Sequence, residues 1–353
     1  MCEARATHRS DRGGSMHRWP ALALLALSLS GCERLVERQM ERNFTRVDAS
    51  VLESPELQIV ICGSGSPLPD ASRAAACTAV IAGGEFVLVD SGPGSWEVLD
   101  LENLPVASVS AVLLTHFHSD HIGGLGEAIT QSWIAGRAKP LPVYGPEGVA
   151  RVVDGFAAAY AADVDYRVAH HGEGYMSRAA APAQAHEIAL GDAPNASAVV
   201  FERSGLTVTM FRVGHEPVHP AVGYRFDFAG RSVVVSGDTV RSASLVEHAR
   251  SADVLVHEAL QKELIGRGVA IASRLGLERV AKLAGDIPDY HTSPVEAAEV
   301  ARDAGVAKLV LTHLVPAPNN VLARRLFLAG VSDVYEGPVV IAEDGMRISL
   351  APR

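Results

Sequence analysis

The sequence predicts an α/β fold, a four-layer αββα sandwich of two mixed sheets lying face to face with helices outside. Three observations carry that prediction. Strand-like apolar runs alternate with helix-like segments in both halves of the chain. Its 353 residues, 48% hydrophobic and 20% charged, suffice for one large α/β domain. Four of the strand-like runs lead directly into His116, His215, Asp238 and His313. In α/β folds, side chains at strand ends converge on one edge, where sites form.

The N-terminus reads as targeting. Arg18 precedes an apolar run from Ala21 to Leu29, too short to span a bilayer but suited to a signal-peptide core. The run ends in Leu29-Ser30-Gly31-Cys32, which resembles the lipobox of bacterial lipoproteins. That resemblance implies cleavage before Cys32, membrane lipid on its sulfur, and a cell-envelope protein facing the periplasm. Met16 is a natural start for such a signal, which leaves the polar, basic residues 1–15 as either an upstream start-site error or an extended n-region. Residues 1–32 are thus a leader, 33–54 a charged tether with little apolar periodicity, and 55–353 the folded domain. Cys62 and Cys77 are the cysteines left in that domain. Two free buried thiols are the simpler reading, although an exported compartment permits a disulfide.

Within the domain, Leu57 to Cys62 reads as a strand before the turn-rich Gly63-Ser64-Gly65-Ser66-Pro67. Cys77 to Ala82 and Glu85 to Asp90 are paired strands around Gly83-Gly84. Ser110 to Thr115 is a buried strand that opens into His116-Phe117-His118-Ser119-Asp120-His121. A helix follows through Ile134, then a strand from Pro142 to Tyr144 and a helix from Pro146 to about Tyr160. Between Ala161 and Ser204 the pattern weakens, and His170, His171 and His186 read as loop residues. Leu206 to Val213 is a strand ending before Gly214-His215, and Val222 to Phe228 pairs with Arg231 to Val235 around Ala229-Gly230. Val254 to Val256 leads into His257-Glu258. Ser293-Pro294-Val295-Glu296 is a capping box with proline at the first helical position, opening a helix to about Ala304 that Gly305 stops. Lys308 to Thr312 is the last strand of the set, ending at His313.

The cluster at 116–121 packs four metal-ligand types into six residues. His116 and His118, two apart, share a side in extended backbone, while Asp120 and His121 follow the turn and face a second point. Imidazoles with a carboxylate suit a borderline-soft cation such as zinc. His-x-His-x-Asp-His resembles the signature of the metallo-β-lactamase-fold hydrolases. The glycine loop, Arg73, the paired strands and Asp90-Ser91-Gly92 resemble the opening of their ribonuclease Z and arylsulfatase-like branch. Gly214-His215 before Tyr224-Arg225, Gly237-Asp238-Thr239 and Thr312-His313-Leu314 resemble the later motifs, so the similarity spans about residues 57 to 350.

That resemblance implies two zinc ions, with manganese or iron(II) acceptable to the same ligands. His116, His118 and His215 would hold one, Asp120, His121 and His313 the other, and Asp238 would bridge them. Seven ligands exceed what one four- or five-coordinate zinc uses, and two dications about 3.5–4 Å apart need an anionic bridge. A water between them would lose its proton near neutral pH and serve as nucleophile. His219 competes with His215 for the third position; His215 is favoured because it follows its strand at once. The branch also implies His291 as proton donor to the leaving oxygen, positioned with Glu258 and Asp120. Asp90 reads as a structural carboxylate bonding nearby amides.

The expected function is metal-dependent hydrolysis of a small-molecule phosphodiester or sulfate ester. A tRNA-processing nuclease of this branch carries a glycine-rich basic arm between the second and third motifs. Here Ala161 to Ser204 is alanine-rich and lightly basic, and the net charge of −10 disfavours nucleic acid. A lactonase or other carbonyl-ester hydrolase uses the same metals, and a non-catalytic metal-binding lipoprotein is the alternative of another class. A homodimer is left open.

Overall fold

The computed structural model describes residues 33–353, so the leader and Cys32 lie outside the described residues. It divides into two units, one ending at Val47 and one spanning Asp48–Arg353. In the first, residues 33–44 form a helix, α1, with every side chain exposed. Its glutamates and arginines are strong helix formers, which is how a stretch read as a charged tether is helical without a buried face. The second unit opens with a 3₁₀ turn, Ala49–Leu52, that buries Val51. The compact unit therefore takes in residues 48–54, which the sequence placed in the tether.

In chain order the first half runs β1 (Leu57–Gly63), β2 (Cys77–Ala82), β3 (Glu85–Val89), α2 (Ser95–Leu101), β4 (Ala111–Leu113), α3 (Ser119–Ile122), α4 (Leu125–Ile134), β5 (Leu141–Gly145), α5 (Val149–His171) and β6 (Ala183–Glu187). The second half runs β7 (Ser197–Arg203), β8 (Leu206–Arg212), β9 (Val222–Phe228), β10 (Arg231–Val235), α6 (Ala243–His248), β11 (Val254–Leu260), α7 (Lys262–Arg274), α8 (Glu278–Asp286), α9 (Pro294–Ala304), β12 (Leu309–Val315), α10 (Val321–Phe327), β13 (Val339–Ile341) and β14 (Arg347–Leu350).

Among the described residues these strands make two seven-stranded sheets, ordered β14-β1-β2-β3-β4-β5-β6 and β13-β12-β11-β10-β9-β8-β7. Each is mixed: β3 to β6 run parallel, as do β10 to β13, and the remaining neighbours are antiparallel. The period-2 alternation of strand side chains then sorts the layers. Ile59, Val87, Leu113, Met210, Tyr224 and Val233 point between the sheets into one core. Val60, Leu88 and Val112 point the other way, onto Trp96, Leu125 and Val149 of the helices over the first sheet. Val234, Leu255 and Leu311 pack outward against Leu245, Ala297 and Ala301 over the second. Both faces of each sheet are covered, which is why the central strands read as continuous apolar runs. The αββα expectation is met.

Several local expectations are corrected. α5 continues to His171 and not to Tyr160; it buries only Val149 and Val153, so its alanine-rich second half shows no apolar stripe. Residues 161–204 are not a loop, because β6 and β7 close the edges of the two sheets there. His170 and His171 end α5, and His186 sits on β6 with its ring stacked on Tyr144 at 4.5 Å. α7 and α8 fill a stretch in which the sequence showed no element, and their apolar Ile271, Leu275, Val280 and Leu283 are exposed. Cys62 and Cys77 are joined in a disulfide, not free, across a sequence separation of 15.

Candidate metal centre

The site is assembled at one edge of both sheets. The first sheet supplies the loop after β4, where His116 precedes α3 and His118 is its N-cap, so that Asp120 and His121 lie on the helix's single turn. The second supplies His215 after β8, Asp238 after β10, Glu258 on β11 and His313 on β12. His313 does not follow its strand, as expected, but lies within it. The pairing of β11 with β12 steps from Glu258–Thr312 to Ala259–Leu314, so His313 occupies the bulge, at φ 48°. A bulge re-aims one side chain without ending the strand.

Asp238 is the hub. Its Oδ2 lies 3.3 Å from His121 Nε2, 3.4 Å from His313 Nε2, and 3.8 Å from both His116 Nε2 and His215 Nε2. The ligand atoms sort into two sets, His116-His118-His215-Asp238 and Asp120-His121-His313, with members of each within 4.8 Å of one another. Asp120 Oδ2 is 3.1 Å from His313 Nε2 and 3.5 Å from His121 Nε2. The structure thus brings together all seven residues expected as ligands. His215 is buried among them, whereas His219 is exposed and faces Arg212 and Glu216.

The residues fit a metal on chemical grounds. The Nε2 atoms of His116, His121 and His215, all facing Asp238 Oδ2, and Asp238 Oδ1 are buried with no hydrogen-bond partner among the described residues. Buried polar atoms are ordinarily paired, and this many orphans converging on one carboxylate is the donor set of a cation. The opposite ring nitrogens are held: His121 Nδ1 by Asp90 Oδ2 at 2.8 Å, His116 Nδ1 by Thr115 Oγ1 at 3.0 Å, and His215 Nδ1 by the Tyr290 carbonyl at 2.9 Å. Such partners fix each ring's orientation and tautomer. Asp90 also accepts from the Thr115 amide and hydroxyl, both at 2.8 Å, the structural role expected of it.

Charge follows burial. Burial pushes His116 well below its ordinary value, and lowers His118 and His215, so these rings are neutral with lone pairs free to coordinate. Burial works against ionised Asp238, but His313 and His121 hold it well below the usual carboxylate range.

Beside the ligands stands a second pair. His291 Nδ1 lies 3.0 Å from Glu258 Oε1, and the same oxygen accepts the Thr292 amide at 2.8 Å. Both side chains are buried. Burial lowers the His291 pKa, but the Glu258 charge and hydrogen bond more than offset it and raise it to about 9. The His291 ring is 5.1 Å from that of His215 and 5.5 Å from that of His313. His291 also groups with Asp238 and His313 within ligand distance. Thr115, Tyr290 and Thr292 were not singled out from sequence. Each adjoins a motif residue, but their contacts cross between distant segments, which spacing cannot show.

The chain matches the model of the beta-lactamase superfamily domain over residues 86–314. A ribonuclease Z of Mycobacterium bovis (strain BCG / Pasteur 1173P2) is 38% identical over 302 residues, covering 84% of this chain and 99% of the relative. A ribonuclease Z of Mycobacterium marinum is 39% identical over 297 residues, covering 83% and 95%. Among solved structures, the short form of human tRNase Z superposes with a TM-score of 0.60 at 23% identity, over 83% of this chain and 99% of that one. The metallo-beta-lactamase fold protein YhfI of Bacillus subtilis gives 0.58 at 20% identity, with the same coverage.

Proposed function

We propose a reaction from one premise: the chain belongs to the beta-lactamase superfamily, among the metal-dependent hydrolases related to ribonuclease Z. The reaction is hydrolysis of a small-molecule phosphodiester, with sulfate esters as the second substrate class. The observation that carries it is Asp238 Oδ2 standing between two ligand sets beside the His291–Glu258 pair. Two zinc ions, or manganese or iron(II) in their place, would supply an acidified water and positive charge at the phosphoryl oxygens. The protein's own part is orientation and proton transfer. The carbonyl of Tyr290 and the carboxylate of Asp90 aim His215 and His121. Glu258, itself anchored by the Thr292 amide, holds His291 protonated through neutral pH. The second ring nitrogen of His291 can then donate to the departing alkoxide, which needs a proton to leave.

A ribonuclease reading is favoured by the names of the relatives. Three features favour the small-molecule reading instead. The net charge is −10. The segment where a basic arm is expected is folded into α5, β6 and β7, with Met176 and Ala180 packed on Trp133. The Cys62–Cys77 disulfide suits an oxidising compartment, in keeping with export and a lipid on Cys32. No helix among the described residues is long and apolar enough to cross a membrane.

The test is metal analysis followed by turnover of bis(4-nitrophenyl) phosphate, 4-nitrophenyl sulfate, a lactone and a precursor tRNA. Metal-dependent turnover of the phosphodiester is expected to lead the panel. A preference for the tRNA or the lactone would replace this reading, and metal binding without any turnover would leave a binding protein.

A further inference from the structure

Beside Asp120 the surface opens into a cleft of about 670 Å³. Ser119, Asp120 and Gly123 are part of its lining, so the cleft borders the metal centre at Asp120. The rest of its wall comes from the loop between β1 and β2 and from Pro93. That loop contributes Pro67, Leu68, Pro69, Ala71 and Ala75, and the side chain of Leu68 is 51% exposed.

The charged groups on this wall are already engaged. Arg73 donates through Nη1 to Ser64 Oγ and to the Ala342 carbonyl, both at 2.6 Å, and through Nε to Asn319 Oδ1 at 3.2 Å. Asp70 accepts from the Ser72 amide and hydroxyl and from Asn319. Two of the loop's fixings are covalent or buried. The Cys62–Cys77 disulfide closes its base, and Asp344 accepts from the Ser64 amide and hydroxyl at 2.9 and 2.6 Å. The wall is therefore held in place and offers mostly apolar carbon, with three of the five N–H groups of its arginine bonded elsewhere.

Resting on the proposed ester hydrolysis, we infer that this cleft is the subsite for an apolar, aryl-sized group of the ester, and that Leu68 determines specificity there. An RNA chain would place ribose and phosphate against a wall made mostly of proline, alanine and leucine carbon. An aromatic group would instead cover the exposed half of Leu68 and the proline edges. Covering that much apolar side chain is worth about tenfold in affinity.

The test separates binding from turnover. Two phosphonate methyl esters, one carrying a naphthylmethyl group and one a methyl group through the P–C bond, are titrated calorimetrically into the metal-loaded protein. The native protein is expected to bind the naphthylmethyl compound about tenfold or more tighter than the methyl one. Leu68→Gln, a neutral change at an exposed position, is expected to reduce that ratio at least threefold. A ratio near one in the native protein, or one that Leu68→Gln leaves intact, would overturn the subsite. So would tighter binding of a short oligoribonucleotide than of the naphthylmethyl compound. Phosphodiester turnover with a ratio near one defeats only the subsite; loss of both phosphonate binding and turnover defeats the proposed reaction with it.

Discussion

Replacing Glu258 by glutamine isolates the electrostatic half of the proton-donor proposal. The amide oxygen can still accept the Thr292 N–H now bonded at 2.8 Å, so the loop entering α9 keeps its anchor. What disappears is the charge 3.0 Å from His291 Nδ1. The rise of His291 from 6.5 to about 9 represents about 3 kcal/mol of preference for the imidazolium. Burial opposes that rise, so without Glu258 the pKa falls to its ordinary value or below. The sign follows. A histidine with a raised pKa is charged below that value and loses its proton as pH climbs through it. At pH 8 about nine-tenths of the native protein carries the donor proton, against about 3% or less of the variant. Activity on an alkyl phosphodiester should therefore fall about 30-fold at pH 8 and only a few-fold at pH 6. The assay is kcat/KM against pH for an alkyl ester and a nitrophenyl ester, whose leaving group needs little protonation. The reasoning fails if the high-pH limb stays where it was, or if both esters lose activity equally.

His291→Ala should keep its metals yet lose about 10²–10⁴ in turnover of alkyl esters, the usual size of a general-acid contribution; a parallel loss of metal would make it a ligand, a role its grouping with Asp238 and His313 leaves open to test. Asp238→Ala should release metal disproportionately, because its Oδ2 serves both ligand sets; one retained ion per chain with unchanged affinity, by elemental analysis, would refute the shared role. Breaking the disulfide with Cys62→Ala and Cys77→Ala should lower stability by about 3 kcal/mol for a loop of this length, read from urea unfolding, and an unchanged midpoint would show the loop is fixed without it. Cys32→Ser should move the protein from the membrane to the soluble fraction if Cys32 carries lipid.

What the sequence made legible was whatever depends on local spacing. His116, His118, Asp120 and His121 sit within one strand end and one helical turn, so their pattern survives without a fold. His215 and Asp238 are each tied to the end of a strongly apolar strand. The capping box at Ser293 and Glu296 is likewise a short-range signal, and both of its hydrogen bonds form. Elements went unseen where burial does not leave a period. Two residues of α5 are buried, α7 and α8 leave their apolar side chains in solvent, and β6 and β7 are sheet edges. α5 lacks the one-sided apolar stripe from which an element is read, whereas α7 and α8 carry one but leave it in solvent, where no core marks it.

The placement of His313 follows a different rule. Its ring reaches Asp120 Oδ2 and Asp238 Oδ2 only because β12 bulges beside Glu258 and the backbone turns to φ 48°. A positive φ is uncommon for a residue with a side chain and persists where the surroundings over-determine it. Asp90, at φ 60°, shows the same on the opposite sheet, where three hydrogen bonds from Thr115 and His121 hold its carboxylate. The two special conformations flank the ligand sets, one aiming a ligand directly and one through His121. Both sheets are covered front and back, so neither can shift to relieve them. The sandwich thus does more than collect strand ends: its rigidity lets a carboxylate and four imidazoles converge where, without a cation, mutual pairing would leave most of their donor atoms unsatisfied.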